Sequence, residues 1–200
     1  MAPFSKPILF CDFDGTLCFD RYWRSLPPED NEKIQKLLFG EDRTMVDGWM
    51  KGEYTAEEVN KFVAGQIGVP FEKLWNVFVE DCRTMKVSEQ ALKKLHTLRD
   101  RFTVVLLTGN MDSFSRFTVP ALQLEKYFDL ISNSHSERKH KTDNEGGLFV
   151  EYARKLEVSL KDCLLVDNSP EACALFENLG GVSYLVTPEK DVNYYLAQIV

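Results

Sequence analysis

Two carboxylic acids stand two positions apart in the segment Asp12-Phe13-Asp14-Gly15-Thr16, directly after the apolar residues 8–11. If those apolar residues form a buried strand, both carboxylates leave its end and point into the same crevice, and Gly15 allows a sharp turn. One carboxylate can then attack a substrate while the other transfers a proton, and two close negative charges favour a bound divalent cation. Covalent phosphoryl transfer needs this arrangement.

Polar residues also follow two later apolar runs. Thr108-Gly109-Asn110 comes directly after residues 102–107, and Asp167 comes directly after residues 163–166. A threonine at the end of a strand offers a hydroxyl donor, and the residues that follow it offer free backbone N–H groups. The sequence therefore predicts further groups for an anionic substrate beside the paired carboxylates.

Five short apolar runs, at residues 8–11, 102–107, 128–131, 163–166 and 182–186, alternate with helical patterns. Continuous apolar runs of this length are typical of strands that are covered on both faces, as in a parallel sheet between helices. We therefore expect an α/β fold with a doubly wound parallel sheet. In such a sheet, ligands bind beyond the carboxyl ends of the strands, where Asp12, Thr108 and Asp167 are expected to lie.

Residues 18–85 break this alternation, because they contain helical patterns at 31–39, 55–66 and 71–85 and no good strand. We interpret them as a helical insert placed directly after the first strand. Five aromatic or cationic residues lie just beyond the carboxylate loop: Phe19, Arg21, Tyr22, Trp23 and Arg24. They either contact the substrate or pack at the junction between the insert and the core.

These motifs and their positions resemble those of the haloacid dehalogenase-like (HAD-like) superfamily of hydrolases. The resemblance implies a Rossmann-type core domain formed by residues 1–17 and 86–200, and a small all-α cap domain formed by residues 18–85. It also implies that Asp12 is the nucleophile, which forms an aspartyl-phosphate. Asp14 would be the general acid and base.

The resemblance further implies how phosphate is bound. Thr108, Gly109 and Asn110 would contact the phosphoryl oxygens. A lysine from the basic residues 135–141 would pair with the phosphate and orient the nucleophile. Lys141 is the first choice, because Lys141-Thr142-Asp143 precedes a predicted helix at 148–156, and Lys139 is the alternative.

A magnesium site is implied as well, with Asp12, Asp167 and the backbone carbonyl of Asp14 as ligands. These are hard oxygen donors of the kind that Mg²⁺ prefers. Members of the family often have a second acid near Asp167. Here Asn168 occupies the adjacent position and Glu171 stands four residues on, so either residue is a candidate to support the metal.

We therefore expect a Mg²⁺-dependent phosphatase that acts on a small phosphorylated metabolite. Family members that cleave carbon–halogen bonds lack an acid at the position of Asp14, which favours phosphoryl transfer. A phosphomutase is an alternative, although Thr16 favours hydrolysis, since mutases commonly carry an aliphatic residue there. A binding or regulatory module with weak catalysis is a third possibility.

Composition excludes other classes of function. The 200 residues carry a formal net charge of −7. Because a negatively charged surface repels the phosphates of nucleic acids, we do not expect nucleic-acid binding. Membrane association is not expected, because no apolar run approaches the roughly 20 residues of a membrane helix. The five cysteines form no C-x-x-C pair, which predicts free thiols and a cytoplasmic location. The sequence does not indicate an oligomeric state.

Overall fold

A parallel β-sheet forms the centre of the molecule, for which a computed structural model describes residues 6–199. Within these residues five strands lie in the order β3–β2–β1–β4–β5. Their bounds are β1 Ile8–Cys11, β2 Thr103–Thr108, β3 Leu130–Asn133, β4 Leu164–Asp167 and β5 Val182–Leu185. The expected doubly wound α/β fold is confirmed, because β2 and β3 lie on one side of β1 while β4 and β5 lie on the other.

Helices cover the sheet and form most of the segment between β1 and β2. Within residues 6–199 there are ten α-helices: α1 Pro28–Phe39, α2 Thr44–Met50, α3 Ala56–Ile67, α4 Phe71–Arg83, α5 Glu89–Leu98, α6 Val119–Leu122, α7 Ser134–Glu137, α8 Asp143–Lys155, α9 Pro170–Asn178 and α10 Val192–Gln198. None of these helices has both the length and the apolar character needed to cross a membrane. The predicted core domain also includes residues 1–5 and 200, which lie outside the described residues.

The central strand β1 is buried on both faces of the sheet, which is why its sequence is an unbroken apolar run. All four of its side chains are fully buried. Leu9 and Cys11 belong to a hydrophobic cluster on one face of the sheet, whereas Ile8 and Phe10 pack with Phe149 on the other. Successive side chains of a strand point to opposite faces, so a strand between two layers of helices needs apolar residues at every position. As predicted, Cys11 and the other four cysteines are unpaired.

Strand β3 lies two residues later than the run predicted at 128–131. Phe128 is buried before the strand begins, and the Asp129 carboxylate accepts a hydrogen bond from the Val104 backbone N–H at 2.9 Å. The parallel register then pairs Leu130 with Val105. Because pairing with β2 sets the register, the strand continues into polar residues that the hydrophobic pattern did not include.

Helix α8 begins earlier than the predicted helix at 148–156, but its first turn is irregular. Asn144, Glu145 and Gly146 have the positive φ values 53°, 56° and 84°. At Gly146 an added Cβ would lie 2.9 Å from a methyl group of Leu179, so both the backbone conformation and the close packing require glycine. The regular part of the helix therefore starts close to the predicted position.

The helical segment, residues 18–85, contains α1 to α4 and has a hydrophobic cluster of its own. Trp23, Trp49 and Phe78 are fully buried at the centre of this cluster. The side chains of Thr55 and Glu58 form a capping box at the start of α3. Helix α2 was not predicted, because it is short and contains Gly48. The division of the chain into a core and a cap domain stays a prediction.

The helical segment contacts the core through a buried carboxylate in the loop after β2. Asp112 accepts hydrogen bonds from Trp49 Nε1 at 2.6 Å and from the Ala56 backbone N–H at 3.3 Å. Arg116 pairs with Asp112 at 2.8 Å and with Glu57 at 2.6 Å. These contacts hold the segment over the carboxyl end of the sheet.

Candidate active site

Asp12 and Asp167 leave neighbouring strands at the same edge of the sheet. Strands β1 and β4 pair in parallel, with Cys11 opposite Val166, and the Asp12 backbone N–H donates to the Val166 carbonyl at 3.0 Å. Asp12 is 4% exposed, and Asp167 is fully buried. The sheet register thus brings together two carboxylates that are 155 residues apart in the sequence.

Lys141 lies between these two carboxylates. Its Nζ atom is 2.9 Å from Asp12 Oδ1 and 2.5 Å from Asp167 Oδ2. Lys139, the alternative in the sequence, pairs instead with Glu151 at 2.5 Å. Of the two lysines, the structure brings Lys141 to the predicted nucleophile. We call Asp12, Lys141 and Asp167 the carboxylate–lysine cluster.

Burial and charge act in opposite directions within this cluster. Burial raises the pKa of Asp167 to about 6, although Lys141 opposes the shift. Burial alone would lower the pKa of Lys141, but the two carboxylates outweigh burial and raise it. A single ammonium faces two acids, so the ionised cluster carries one excess negative charge. An additional cation would stabilise it.

Asp14 lies at the mouth of the site. Gly15 has φ +76°, which confirms the sharp turn expected after the paired acids. The Asp14 side chain is 54% exposed and forms an ion pair with Arg21. The surrounding crevice hinders hydration and raises the pKa of Asp14, while Arg21 acts in the opposite direction. This carboxyl group therefore holds a proton more readily than a free aspartate.

Thr108 ends β2, the neighbour of β1 on the other side. Its side chain is 2% exposed, and its Oγ1 atom has no hydrogen-bond partner within residues 6–199. A buried hydroxyl without a partner costs free energy, so Thr108 Oγ1 is available to a ligand. Asn110 differs, because its Oδ1 accepts from Tyr22 Oη at 2.5 Å and its backbone N–H donates to Ser134. Gly109 lines the cavity described below.

The two residues considered as support for the metal lie on the surface. Asn168 is exposed and packs against the loop of the paired acids, where its Oδ1 accepts a hydrogen bond from Thr16 at 3.4 Å. Glu171 is exposed in the first turn of α9. Neither side chain contacts the carboxylate–lysine cluster among the described residues. The question of which one supports the metal stays open.

A cavity of about 320 Å³ begins beside Asp14, Gly109 and Asn110 and extends towards α1 and α2. Its far side, which we call the helical wall, consists of Gln35, Phe39, Arg43 and Met50. Of the aromatic and cationic residues 19–24, Arg21 and Tyr22 line the cavity, whereas Trp23 is buried in the helical segment. Sequence reasoning missed the helical wall, because no motif marks its residues.

The residues around the carboxylate–lysine cluster fit a magnesium ion. The cluster offers carboxylate oxygens that carry excess negative charge, which are the donors that Mg²⁺ prefers. The third predicted ligand is a backbone carbonyl. Within residues 6–199, no group of three or more His, Cys, Asp or Glu side chains is arranged to hold a metal, so the magnesium site stays a prediction.

Comparisons with known proteins place this geometry in a known fold. A HAD family enzyme from Bacteroides thetaiotaomicron, in complex with magnesium and inorganic phosphate, is similar at 20% identity and a TM-score of 0.73. The match covers 93% of this chain and 96% of that one. The chain has the haloacid dehalogenase-like fold.

Other structures with the HAD-like fold are similar over comparable lengths. A predicted HAD-like family hydrolase from Porphyromonas gingivalis matches at 17% identity and a TM-score of 0.68, over 90% of this chain and 91% of that one. An L-2-haloacid dehalogenase from Xanthobacter autotrophicus matches at 15% identity and a TM-score of 0.65, over 92% and 80%. No family model and no curated protein matches the chain. At these identities the similarity shows the HAD-like fold alone.

Proposed function

We propose that the protein is a Mg²⁺-dependent phosphatase that hydrolyses a small-molecule phosphomonoester through an aspartyl-phosphate on Asp12. The observation that carries this proposal is the carboxylate–lysine cluster, whose Asp12 is followed in the chain by Asp14, which lines a cavity. Lys141 lies 2.9 Å from Asp12 Oδ1, so it holds the carboxylate in one orientation. The same ammonium, together with the unpartnered hydroxyl of Thr108, can bind the oxygens of a phosphoryl group.

In the first step, an oxygen of Asp12 attacks phosphorus, and the bond between phosphorus and the alcohol oxygen breaks. Asp14, as the carboxylic acid, donates its proton to the departing oxygen, so the product leaves as a neutral alcohol. The raised pKa of Asp14 suits this role. Its place at the edge of the cavity lets it reach a leaving group that lies there.

In the second step, Asp14 acts as a base. Its carboxylate takes a proton from water while the water oxygen attacks phosphorus, and the bond between phosphorus and Asp12 breaks. Inorganic phosphate leaves, Asp12 returns to a carboxylate, and Asp14 is again protonated. Both steps thus use the same acid in its two protonation states.

Asp12, Asp167 and the backbone carbonyl of Asp14 would hold Mg²⁺. When bound, the ion supplies positive charge that reduces the repulsion between the phosphoryl oxygens and the two carboxylates. Lys141 holds Asp12 and Asp167 next to each other with contacts of 2.9 and 2.5 Å. The Ser169 backbone N–H donates to Asp167 Oδ1 at 2.8 Å and keeps that carboxylate oriented.

We further propose that the helical segment acts as a cap that surrounds the leaving group and excludes bulk water. Its residues form the helical wall of the cavity, and Asp112 fixes it to the core. The partner implied by this enclosure is a small phosphorylated metabolite. That the protein binds neither nucleic acid nor membranes and is cytoplasmic stays a prediction.

The test is phosphate release in the presence and absence of Mg²⁺ across a panel of small phosphate esters. We expect Mg²⁺-dependent release, and we expect Asp12→Asn to lower kcat by at least about 10⁴-fold, because an amide is a poor nucleophile. Asp100→Asn serves as the matched control, since Asp100 is exposed in the turn before β2. It should keep the rate of the parent protein.

The alternatives give different results in the same assay. A phosphomutase would require a bisphosphate and would release little phosphate, and a binding module would show no turnover on any ester. Release of halide from a 2-haloacid without phosphatase activity would indicate a dehalogenase. A rate for Asp12→Asn equal to that of the parent protein would exclude the proposed mechanism.

A further inference from the structure

The residues of the helical wall determine which leaving groups the cavity can accept. We propose that the cavity selects phosphomonoesters whose alcohol part has an apolar body and a second anionic group, which Arg43 binds. This inference rests on the proposed phosphatase function and deepens it by naming the substrate class. It depends on the size of the cavity, on the charges in its lining and on the orientation of Arg43.

The cavity is suited to a small leaving group. Its volume of about 320 Å³ is at the lower end for ligand sites, which suggests a ligand not much larger than a single ring or a short chain. Asp14 and Gly109 lie at the catalytic end, and Gln35 and Arg43 lie on the helical wall. A phosphomonoester with its phosphoryl group at Asp12 would direct the rest of the molecule towards that wall.

Among the charged residues of the lining, Arg43 has the longest contact to a counter-ion. Arg21 pairs with Asp14. Asp20 accepts from the Lys86 backbone N–H at 2.8 Å and lies 3.8 Å from Arg24. These contacts account for both carboxylates of the lining.

Arg43 is the remaining charged side chain, and it is 46% exposed. Its closest carboxylate is Asp47, whose Oδ1 is 3.9 Å from Arg43 Nε, beyond hydrogen-bond distance. Arg43 makes no side-chain hydrogen bond among the described residues. A guanidinium in this state can bind an additional anion without first breaking a strong contact.

Neighbouring residues of α1 orient Arg43 towards such an anion. The guanidinium carbon lies 5.9 Å from the centre of the Phe39 ring, which supports the side chain. Gln35 is one turn earlier on the same face of the helix, and its amide makes no hydrogen bond within residues 6–199. Guanidinium and amide donors together match the oxygens of a carboxylate or of a second phosphate.

The rest of the lining favours an apolar body over a polyhydroxylated one. The apolar side chains that face the cavity are Phe13, Tyr22, Phe39, Met50, Met85 and Met111. The phenolic hydroxyl of Tyr22 already donates to Asn110. Sugar hydroxyls placed against these side chains would lose hydrogen bonds to water without replacement, which is unfavourable.

Calorimetric binding of non-hydrolysable phosphonates to the full chain with Mg²⁺ tests this inference. The probes are benzylphosphonate, 4-carboxybenzylphosphonate and 1,4-bis(phosphonomethyl)benzene. They share one benzene ring and differ in the group at its 4-position. We expect the carboxylate or the second phosphonate to raise affinity by about tenfold over benzylphosphonate, as for a partly solvated charge-assisted contact. The stronger of the two identifies the anionic group.

Variants assign that preference to Arg43. Arg43→Gln should reduce the tenfold ratio to near one, and Arg43→Lys should keep part of it, because the charge remains but the planar fork is lost. Arg154→Gln, on the exposed face of α8, is the matched control and should keep the ratio of the parent protein.

The outcomes separate this inference from the proposed function. Equal affinity for all three phosphonates, or an unchanged ratio in Arg43→Gln, would overturn the inference even if phosphate esters are hydrolysed. A preference that depends on Arg43, without hydrolysis of any ester, would support the anion site and contradict the phosphatase proposal.

Discussion

The catalytic side of the cavity holds its charges in short, buried contacts, whereas the helical wall leaves its charge half exposed. Lys141 contacts Asp12 and Asp167 at 2.9 and 2.5 Å, and neither acid is more than 4% exposed. Arg43, on the helical wall, is 46% exposed and 3.9 Å from its nearest acid. Fixed charges suit a reaction that every substrate undergoes, while a weakly paired, half-exposed cation suits a group that differs among substrates.

Removal of the Lys141 charge, which lies between Asp12 and Asp167, should have the largest effect on catalysis. Lys141→Met should lower kcat by about 10²- to 10³-fold, because the phosphoryl oxygens lose a preorganised cation. Lys139→Met is the matched control and should have little effect, since Lys139 pairs with Glu151 on the surface. Steady-state kinetics of both variants, with circular dichroism to check folding, gives the answer.

Equal losses in the two lysine variants would contradict the assignment. A reduced rate for Lys139→Met alone would mean that the loop of residues 135–141 rearranges when the substrate binds.

The stability of an Asp112 variant measures how strongly this carboxylate holds the helical segment on the core. Asp112→Ala removes the acceptor for Trp49 Nε1, the Ala56 N–H and Arg116, and Asp112 is only 8% exposed. We expect the free energy of unfolding to fall by about 2 to 3 kcal/mol, because buried donors are left unpaired. Chemical denaturation measures this change.

Asp47→Ala is the control for that measurement. Asp47 is 52% exposed, so its loss should change stability by less than about 1 kcal/mol. If the two alanine variants were equally stable, the buried contact at Asp112 would not be what holds the segment.

Substitution of Thr108 should change catalysis and stability in opposite directions. Thr108→Val should lower kcat/KM by about tenfold, because one donor to the phosphoryl group is lost. The same change should raise the free energy of unfolding by about 1 kcal/mol, since the buried hydroxyl has no partner within residues 6–199. A loss of stability together with a loss of activity would instead indicate a structural role for Thr108.

Most of the catalytic side could be predicted from the sequence, because three of its residues stand at the ends of apolar runs. Asp12, Thr108 and Asp167 stand directly at the ends of β1, β2 and β4, and parallel strands place their carboxyl ends at one edge. The positions of single strands in the sequence were therefore enough to predict that these distant residues lie at the same edge of the sheet. Lys141 needed the structure to be distinguished from Lys139, since both lie in the same irregular loop.

The helical wall could not be predicted in this way. Gln35 and Phe39 belong to α1, Arg43 precedes α2 and Met50 ends it, and helical periodicity does not show how these helices face the core. Their placement depends on tertiary contacts such as that between Trp49 and Asp112, which join residues 63 positions apart. The start of β3 was displaced for a similar reason, because pairing with β2 decided the register.

Chemical trapping of the enzyme during turnover tests the central claim most directly. The reaction is stopped rapidly in acid, acyl phosphates are reduced with borohydride, and the peptides are analysed by mass spectrometry. We expect Asp12 alone to be converted to homoserine, and only when substrate and Mg²⁺ are both present. An unmodified Asp12 in an enzyme that is releasing phosphate would contradict this expectation.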